Sequence, residues 1–235
     1  ASLGYEFGFS NVASMARRFG ITTNISTYPS MVLGSSEVRV IDLTRAFAAV
    51  SAQGQSVEPY GIIRVTTADG QELYKHENGR SLTLVPDYVA AGITDLLQTA
   101  VATGTGRAAQ IGRPVAGKTG TTQDGADGWF LLMHPDLVMG AWVGFDDPRV
   151  TFRSSYWGQG GHTALLNVGA FFQKLQTEGD SLIRLDPKVK MERPEDYAPP
   201  SRRGQIGGGR YIPGMDGRSG RARRERSEDA NASSS

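Results

Sequence analysis

Residues 114–147 read PVAGKTGTTQDGADGWFLLMHPDLVMGAWVGFDD. The pattern predicts three short strands. An apolar run enters Lys118-Thr-Gly-Thr-Thr122, a Gly/Asp-rich connection follows, and two further apolar runs flank His134-Pro135-Asp136, whose proline suits the second position of a tight turn. Alternation along the first strand puts Thr119 and Thr121 on one face and Lys118 on the other. A cation flanked by hydroxyls, beside the sterically open Gly120, can receive a carboxylate or a phosphate.

Working outward, Gly104-Thr-Gly-Arg107 reads as a loop that delivers the chain to this strand, either a plain connector or a wall beside it. Before it, residues 86–101 have helical spacing through Val89, Ile93, Leu96 and Ala100, opened by Pro86 and closed before Gly104. Residues 58–76 change to a period of two around Asp69-Gly70, a hairpin signal. A helix over about 37–53 buries Val40, Leu43, Phe47 and Val50 and stops at Gly54, with Ser35 and Ser36 upstream as helix caps. Another, over 10–19, places Val12, Met15, Ala16 and Phe19 on one stripe, with Ser10 as its cap. Downstream, Arg149 to His162 is a loop rich in glycine and aromatics, with Tyr156, Trp157, Gly158, Gly160 and Gly161. It either lines a cleft or folds over a sheet edge. The helix 164–176 follows, with Thr163 as cap and Leu165, Val168, Phe172 and Leu175 facing the sheet.

The 235 residues, 39% apolar, can bury one core. There is no cysteine, so thiol chemistry and cysteine metal sites are unavailable. His76, His134 and His162 are far apart in turn-like settings and read as surface polar residues, which argues against a metal cluster or a Ser-His-Asp triad. No cofactor is implied. No apolar run approaches the roughly eighteen residues of a membrane span. Two units are expected: residues 1–185 folded, and 186–235 a disordered Pro/Gly/Arg/Ser-rich tail that cannot offset its ordering entropy. From residue 200 onward eight arginines face four acids, net +4, leaving −3 for residues 1–199. This basic end reads as solvated, with no specific nucleic-acid partner.

Two motif readings compete for Lys118. Gly112 to Thr119 matches the G-x-x-x-x-G-K-[ST] phosphate loop. That loop needs a helix directly after it, so that amides and the helix N-terminus face the phosphates, and GTTQDGADG cannot start one. The other reading is the Lys-Thr-Gly element of serine acyl-transferases. KTGTTQDGADGWF, the Pro-Asp turn and AWVGFDD resemble the C-terminal half of the transpeptidase domain of class A, bifunctional penicillin-binding proteins. Gly104 to Arg107 and Leu33-Gly-Ser-Ser-Glu-Val38 also match, and the resemblance covers about residues 1–176. The chain keeps the family's Gly160, Gly161 and Ala164 but lacks the proline that commonly follows them.

The resemblance implies an α+β fold, an antiparallel sheet with packed helices as in penicillin-binding proteins and serine β-lactamases. It implies a serine D-Ala-D-Ala transpeptidase of the cell envelope that cross-links peptidoglycan stem peptides at the periplasmic face of the inner membrane and binds β-lactams. Lys118 and Thr119 would shape a positive, hydroxyl-lined end. Thr121 would bind the substrate carboxylate and offer its backbone N–H to an oxyanion hole, with Gly120 and Thr122 beside it as substrate-binding residues. No serine has lysine three residues later and no asparagine has serine two before it, so the nucleophile and its base are expected outside this chain. The chain is accordingly expected to be a truncated piece, with the membrane anchor and a glycosyltransferase part before residue 1. The alternative from another class is a non-catalytic module that binds wall polymer or a partner.

Overall fold

Four consecutive apolar residues, Phe130 to Met133, need cover on both faces of whatever strand carries them, because successive side chains of a strand point to opposite sides. The computed structural model, which describes residues 2–110, 114–147, 149–178, 190–191 and 193–197, provides that cover. Strands β3 (Ala116–Thr121), β4 (Asp127–His134) and β5 (Leu137–Gly144) form an antiparallel meander in the order β3-β4-β5. Pro135-Asp136 is the two-residue turn that sets the register from His134↔Leu137 to Asp127↔Gly144. Strand β3 pairs with the other side of β4, from Ala116↔Met133 to Thr121↔Gly128. The three strands and the Pro-Asp turn are where the sequence puts them.

One face of the sheet packs Phe130 and Leu132 against Leu165, Val168 and Phe172 of α5 (Ala164–Glu178), with Val101, Ala109 and Val115 at the side. Phe130, Leu132, Leu165 and Phe172 are fully buried, each contributing about 1.5–3 kcal/mol of transfer free energy. The opposite face carries Ala116 and Met133, packed against Phe47 and Val50 of α3 (Val40–Ser51), Leu97 of α4 (Asp87–Ala102), and Met191. Helix α3 lies so close that a Cβ on Gly140 would come within 2.1 Å of the Thr44 hydroxyl oxygen. The result is helix, sheet and helix in layers, the α+β arrangement expected.

A smaller cluster, Ala13, Ile21, Ile25 and Met31, holds the N-terminal part. There α1 (Ser2–Phe7) and α2 (Phe9–Arg18) meet at Gly8, whose φ of 85° is a glycine conformation. Gly8 is the N-cap of α2, so Ser10 lies inside the helix and does not cap it. Ser35 and Ser36 do not cap α3 either. A 3-10 turn over Pro29–Leu33 ends in left-handed Gly34, α3 starts only after Arg39, and the Ser35 hydroxyl donates to that of Ser30. The ribbon β1 (Arg64–Thr66) and β2 (Glu72–Lys75) is the expected hairpin, shorter than the pattern suggests and exposed along its length.

Three further expectations are corrected. The buried stripe of α4 is Ala90, Ala91, Thr94 and Val101, while Ile93 and Leu96 are exposed. The helix approaches β3 closely, with Val101 Cγ2 3.2 Å from where a Gly117 Cβ would stand, and small residues permit that approach where bulky ones do not. His134 is completely buried rather than on the surface. It ends the central strand with its ring centroid 5.5 Å from that of Phe172, and its Nδ1 accepts the Asp136 N–H at 3.2 Å. His76 and His162 stay partly exposed and stack on Tyr60 and Tyr156. Packing also extends beyond residue 185: Met191 is buried and Pro194–Asp196 forms a 3-10 turn against α4. Most of the expected tail lies outside the described residues.

Asp42, buried near the start of α3, ties the layers to the loop after α2. Its Oδ2 accepts from the Thr22 hydroxyl and, at 3.0 Å, from the Thr22 N–H. The Thr22 hydroxyl bond is the main reason its carboxyl titrates below the usual range, aided by the Thr22 amide, Arg39 and Arg45 and opposed by burial. Asp42→Asn should lower unfolding stability at pH 7 by about 1–2 kcal/mol, the loss expected for charge-assisted bonds. A depressed folded pKa means that the stabilisation is full above the unfolded value of about 3.9 and is lost as pH falls through the folded value. The gap between wild type and variant, read by urea unfolding, should therefore close progressively as pH falls below about 3.9. Equal stabilities at pH 7 would contradict this role.

Candidate functional site

Strand β3 lies at one edge of the three-stranded sheet, so the residues of its outer side meet loops rather than another described strand. Thr119 and Thr121 share a face, as alternation requires. The Thr119 Oγ1 lies 2.7 Å from the Thr105 Oγ1, and the Thr121 Oγ1 accepts the Gly160 N–H at 3.1 Å. Gly120 faces the other way, where a Cβ would sit 3.1 Å from Trp129 Cβ. Lys118 is on that side too and is exposed, but its flexible stem folds back so that Nζ donates to the Thr119 carbonyl at 2.6 Å. The ammonium thus returns to the stretch that carries the hydroxyls.

Thr122 has a different part. Its Oγ1 accepts the Asp127 N–H at 3.0 Å and its own N–H donates to the Asp127 carbonyl at 3.3 Å. That closes the β3–β4 connection, in which Asp124 and Gly125 both have positive φ. The Thr122 hydroxyl is engaged in the turn, where it also donates to the Asp127 carbonyl at 3.4 Å.

Two loops wall the edge. The first is Thr103 to Gly106, drawn onto the end of α4 by the Gly106 N–H, which donates to the Ala100 carbonyl at 3.1 Å. The second is the segment after β5, which crosses the sheet on backbone contacts that only glycine allows. A Cβ on Gly160 would lie 2.2 Å from the Gly120 carbonyl oxygen and 2.3 Å from that of Trp129. The Phe152 N–H also donates to the Gly125 carbonyl at 3.1 Å. Farther along this loop, Tyr156 and Trp157 are half exposed, with Tyr156 stacked on His162 at 3.8 Å between centroids and edge-on to Trp157. Of the two readings for this loop, folding over the sheet edge is what Gly160 does.

Sequence reading identified Lys118, Thr119, Gly120 and Thr121 but not the partners of the two hydroxyls. The glycines beside Thr105 and at 158, 160 and 161 carried the only signal, since clustered glycines mark close backbone approach. The phosphate-loop alternative fails on geometry. Gly112 lies outside the described residues, but Lys118 stands in the middle of a strand that continues to Thr121 and then enters a 3-10 turn, with no helix to face a phosphate.

Penicillin-binding protein 2D of Bacillus subtilis is 35% identical over 149 residues, covering 59% of this chain and 21% of that protein. Penicillin-binding protein 1A of Aquifex aeolicus is 34% identical over 142 residues, covering 60% and 19%. The chain thus spans about a fifth of the length of the curated relatives it matches. Among solved structures, penicillin-binding protein 1A from Haemophilus influenzae superposes with a TM-score of 0.65 at 18% identity, over 80% of this chain and 34% of that one. PonA1 from Mycobacterium tuberculosis, in complex with penicillin V, gives 0.60 at 23% identity, over 74% and 51%. These likenesses show a shared fold. No helix among the described residues is long and apolar enough to cross a membrane. Residues 6–153 match the family described as the penicillin binding protein transpeptidase domain, and since that is well over half of the sequence, the chain belongs to this family.

Proposed function

We propose that this chain supplies the β3 side of the active site in a longer peptidoglycan D,D-transpeptidase. The observation that carries the reading is the edge of β3, where two hydroxyls on one face and a folded-back ammonium gather beside two glycine-fitted loops, within a family that binds penicillin. A serine of another part of the protein attacks the amide between the two terminal D-Ala residues of a stem peptide. The terminal D-Ala leaves, and the amine of a neighbouring stem takes the acyl group from the serine. β-Lactams acylate the same serine and are trapped there.

In this reading the strand recognises the C-terminal carboxylate of the stem peptide, or the equivalent carboxylate of a penicillin. Thr121 is the principal donor, because its oxygen already accepts from Gly160 and its proton is left to give. Thr119 is the second donor, and Lys118 supplies the positive charge that a carboxylate needs on leaving water. The Thr121 backbone N–H is one donor to the oxyanion that forms as the serine attacks. The enzyme works at the periplasmic face of the inner membrane, held there by a part outside these residues, which also carries the peptidoglycan glycosyltransferase of the bifunctional class.

In the full-length protein Thr121→Ala should slow acylation by a fluorescent penicillin about tenfold to a hundredfold, the loss of one charge-assisted contact at about 1.5–3 kcal/mol. Unchanged acylation would remove Thr121 from this role. The 235-residue chain alone should form no stable penicillin adduct, since acylation needs an activated nucleophile. Intact-mass analysis tests this, and a stoichiometric penicilloyl group mapped to any of its serines would place the nucleophile here instead. Calorimetry should detect no magnesium-dependent ATP or GTP binding; micromolar affinity that vanished on Lys118→Ala would favour the phosphate loop after all.

A further inference from the structure

We propose that Thr105 is a positioning residue for the carboxylate site, holding the Thr119 hydroxyl with its proton turned toward the substrate. The inference rests on the preceding reading that Thr119 and Thr121 receive a carboxylate. Thr105 and Thr119 are 14 residues apart in sequence, yet their hydroxyl oxygens are 2.7 Å apart. A hydroxyl has one proton to give and two lone pairs to accept with. Two hydroxyls in contact can share only one proton between them, so the direction of the bond decides which of them still has a proton to offer.

The Gly160 N–H can only donate, and this leaves the Thr121 proton free whatever else is bound. Thr119 has no such one-way neighbour, because Thr105 can donate or accept. A carboxylate in front of Thr119 resolves the ambiguity: Thr105 donates to Thr119, and Thr119 donates to the anion. Each bond in such a chain polarises the next. Thr105 is held for this duty on both sides. A Cβ on Gly104 would come within 2.8 Å of the Ala100 carbonyl oxygen, and one on Gly161 would lie 3.3 Å from the Thr105 carbonyl and 3.6 Å from Thr119 Cγ2. The loop after α4, strand β3 and the loop before α5 therefore meet at the Thr105–Thr119 pair.

The test is a double-mutant cycle in the full-length protein, with stopped-flow acylation by a penicillin and by its carboxyl methyl ester. Thr105→Val should lower the acylation rate constant for the acid about threefold to tenfold, and Thr105→Ser should restore it, as expected for one hydrogen bond. In a Thr119→Val background the Thr105→Val effect should vanish, and with the ester it should be absent in either background. Each variant's thermal midpoint is compared with wild type, and Thr105→Ser guards against a loss caused by misfolding of the valine variant. Equal slowing of acid and ester by Thr105→Val, or a loss that adds to that of Thr119→Val, would make Thr105 a structural staple and overturn the proposal. The underlying reading fails in a different way: wild type would acylate with the ester as fast as with the acid, and Thr119→Val would cost nothing.

Discussion

Burial of β4 on both faces is the constraint on which the structure depends. Phe130, Leu131, Leu132 and Met133 are at most 2% exposed, and a strand can hide four residues in a row only between two layers. That requirement brings α5 to one face and α3, with part of α4, to the other. It also fixes β3, which must pair with β4 to satisfy backbone groups that no water reaches. The strand with Lys118, Thr119 and Thr121 is thereby paired along one side with the buried central strand. A site built this way has a stiff floor and walls that can be shaped separately.

Those walls are fitted by the absence of side chains. Gly160 sits where a methyl group would collide with two carbonyl oxygens of β3 and β4, and a Cβ on Gly128 would lie 2.8 Å from Gly160 Cα. The contact lets a backbone N–H reach the Thr121 oxygen. The loop after α4 comes in from the other direction and sets Thr105 against Thr119. Both threonine hydroxyls of the strand therefore have a hydrogen-bond partner from a loop, and neither depends on a charged neighbour for its orientation. Lys118 adds charge from the opposite face by folding its long side chain back onto the strand, which a shorter cation could not do.

Much of this was legible in the residues. The three strands, the Pro-Asp turn, the facing of Thr119 and Thr121, and the stripe of α5 follow from period and turn chemistry, which are local properties, whereas on α3 the expected Val40 is exposed and Ala49 is buried instead. The helix of residues 87–102 is legible from the spacing of Val89, Ile93, Leu96 and Ala100, but Ile93 and Leu96 face out and small residues face in. What decided the face was how near the helix must come to β3 at Gly117, and distance to another element is not written in a helix's own period. His134 was misread for a similar reason. A histidine next to Pro-Asp looks like turn surface, yet the end of a central strand stays under the helix that covers it.

The sequence by itself determined the elements, the Lys-Thr-Gly strand and the kind of chemistry that strand can perform, because those depend on residue type, spacing and alternation. Only the tertiary structure decided what each hydroxyl touches. Thr122 closes a turn with the Asp127 backbone, Thr119 is paired with Thr105, and Thr121 receives the Gly160 N–H from 39 residues away. Such contacts arise from the docking of loops whose positions are set by the packing of the layers beneath them. No local pattern encodes that geometry.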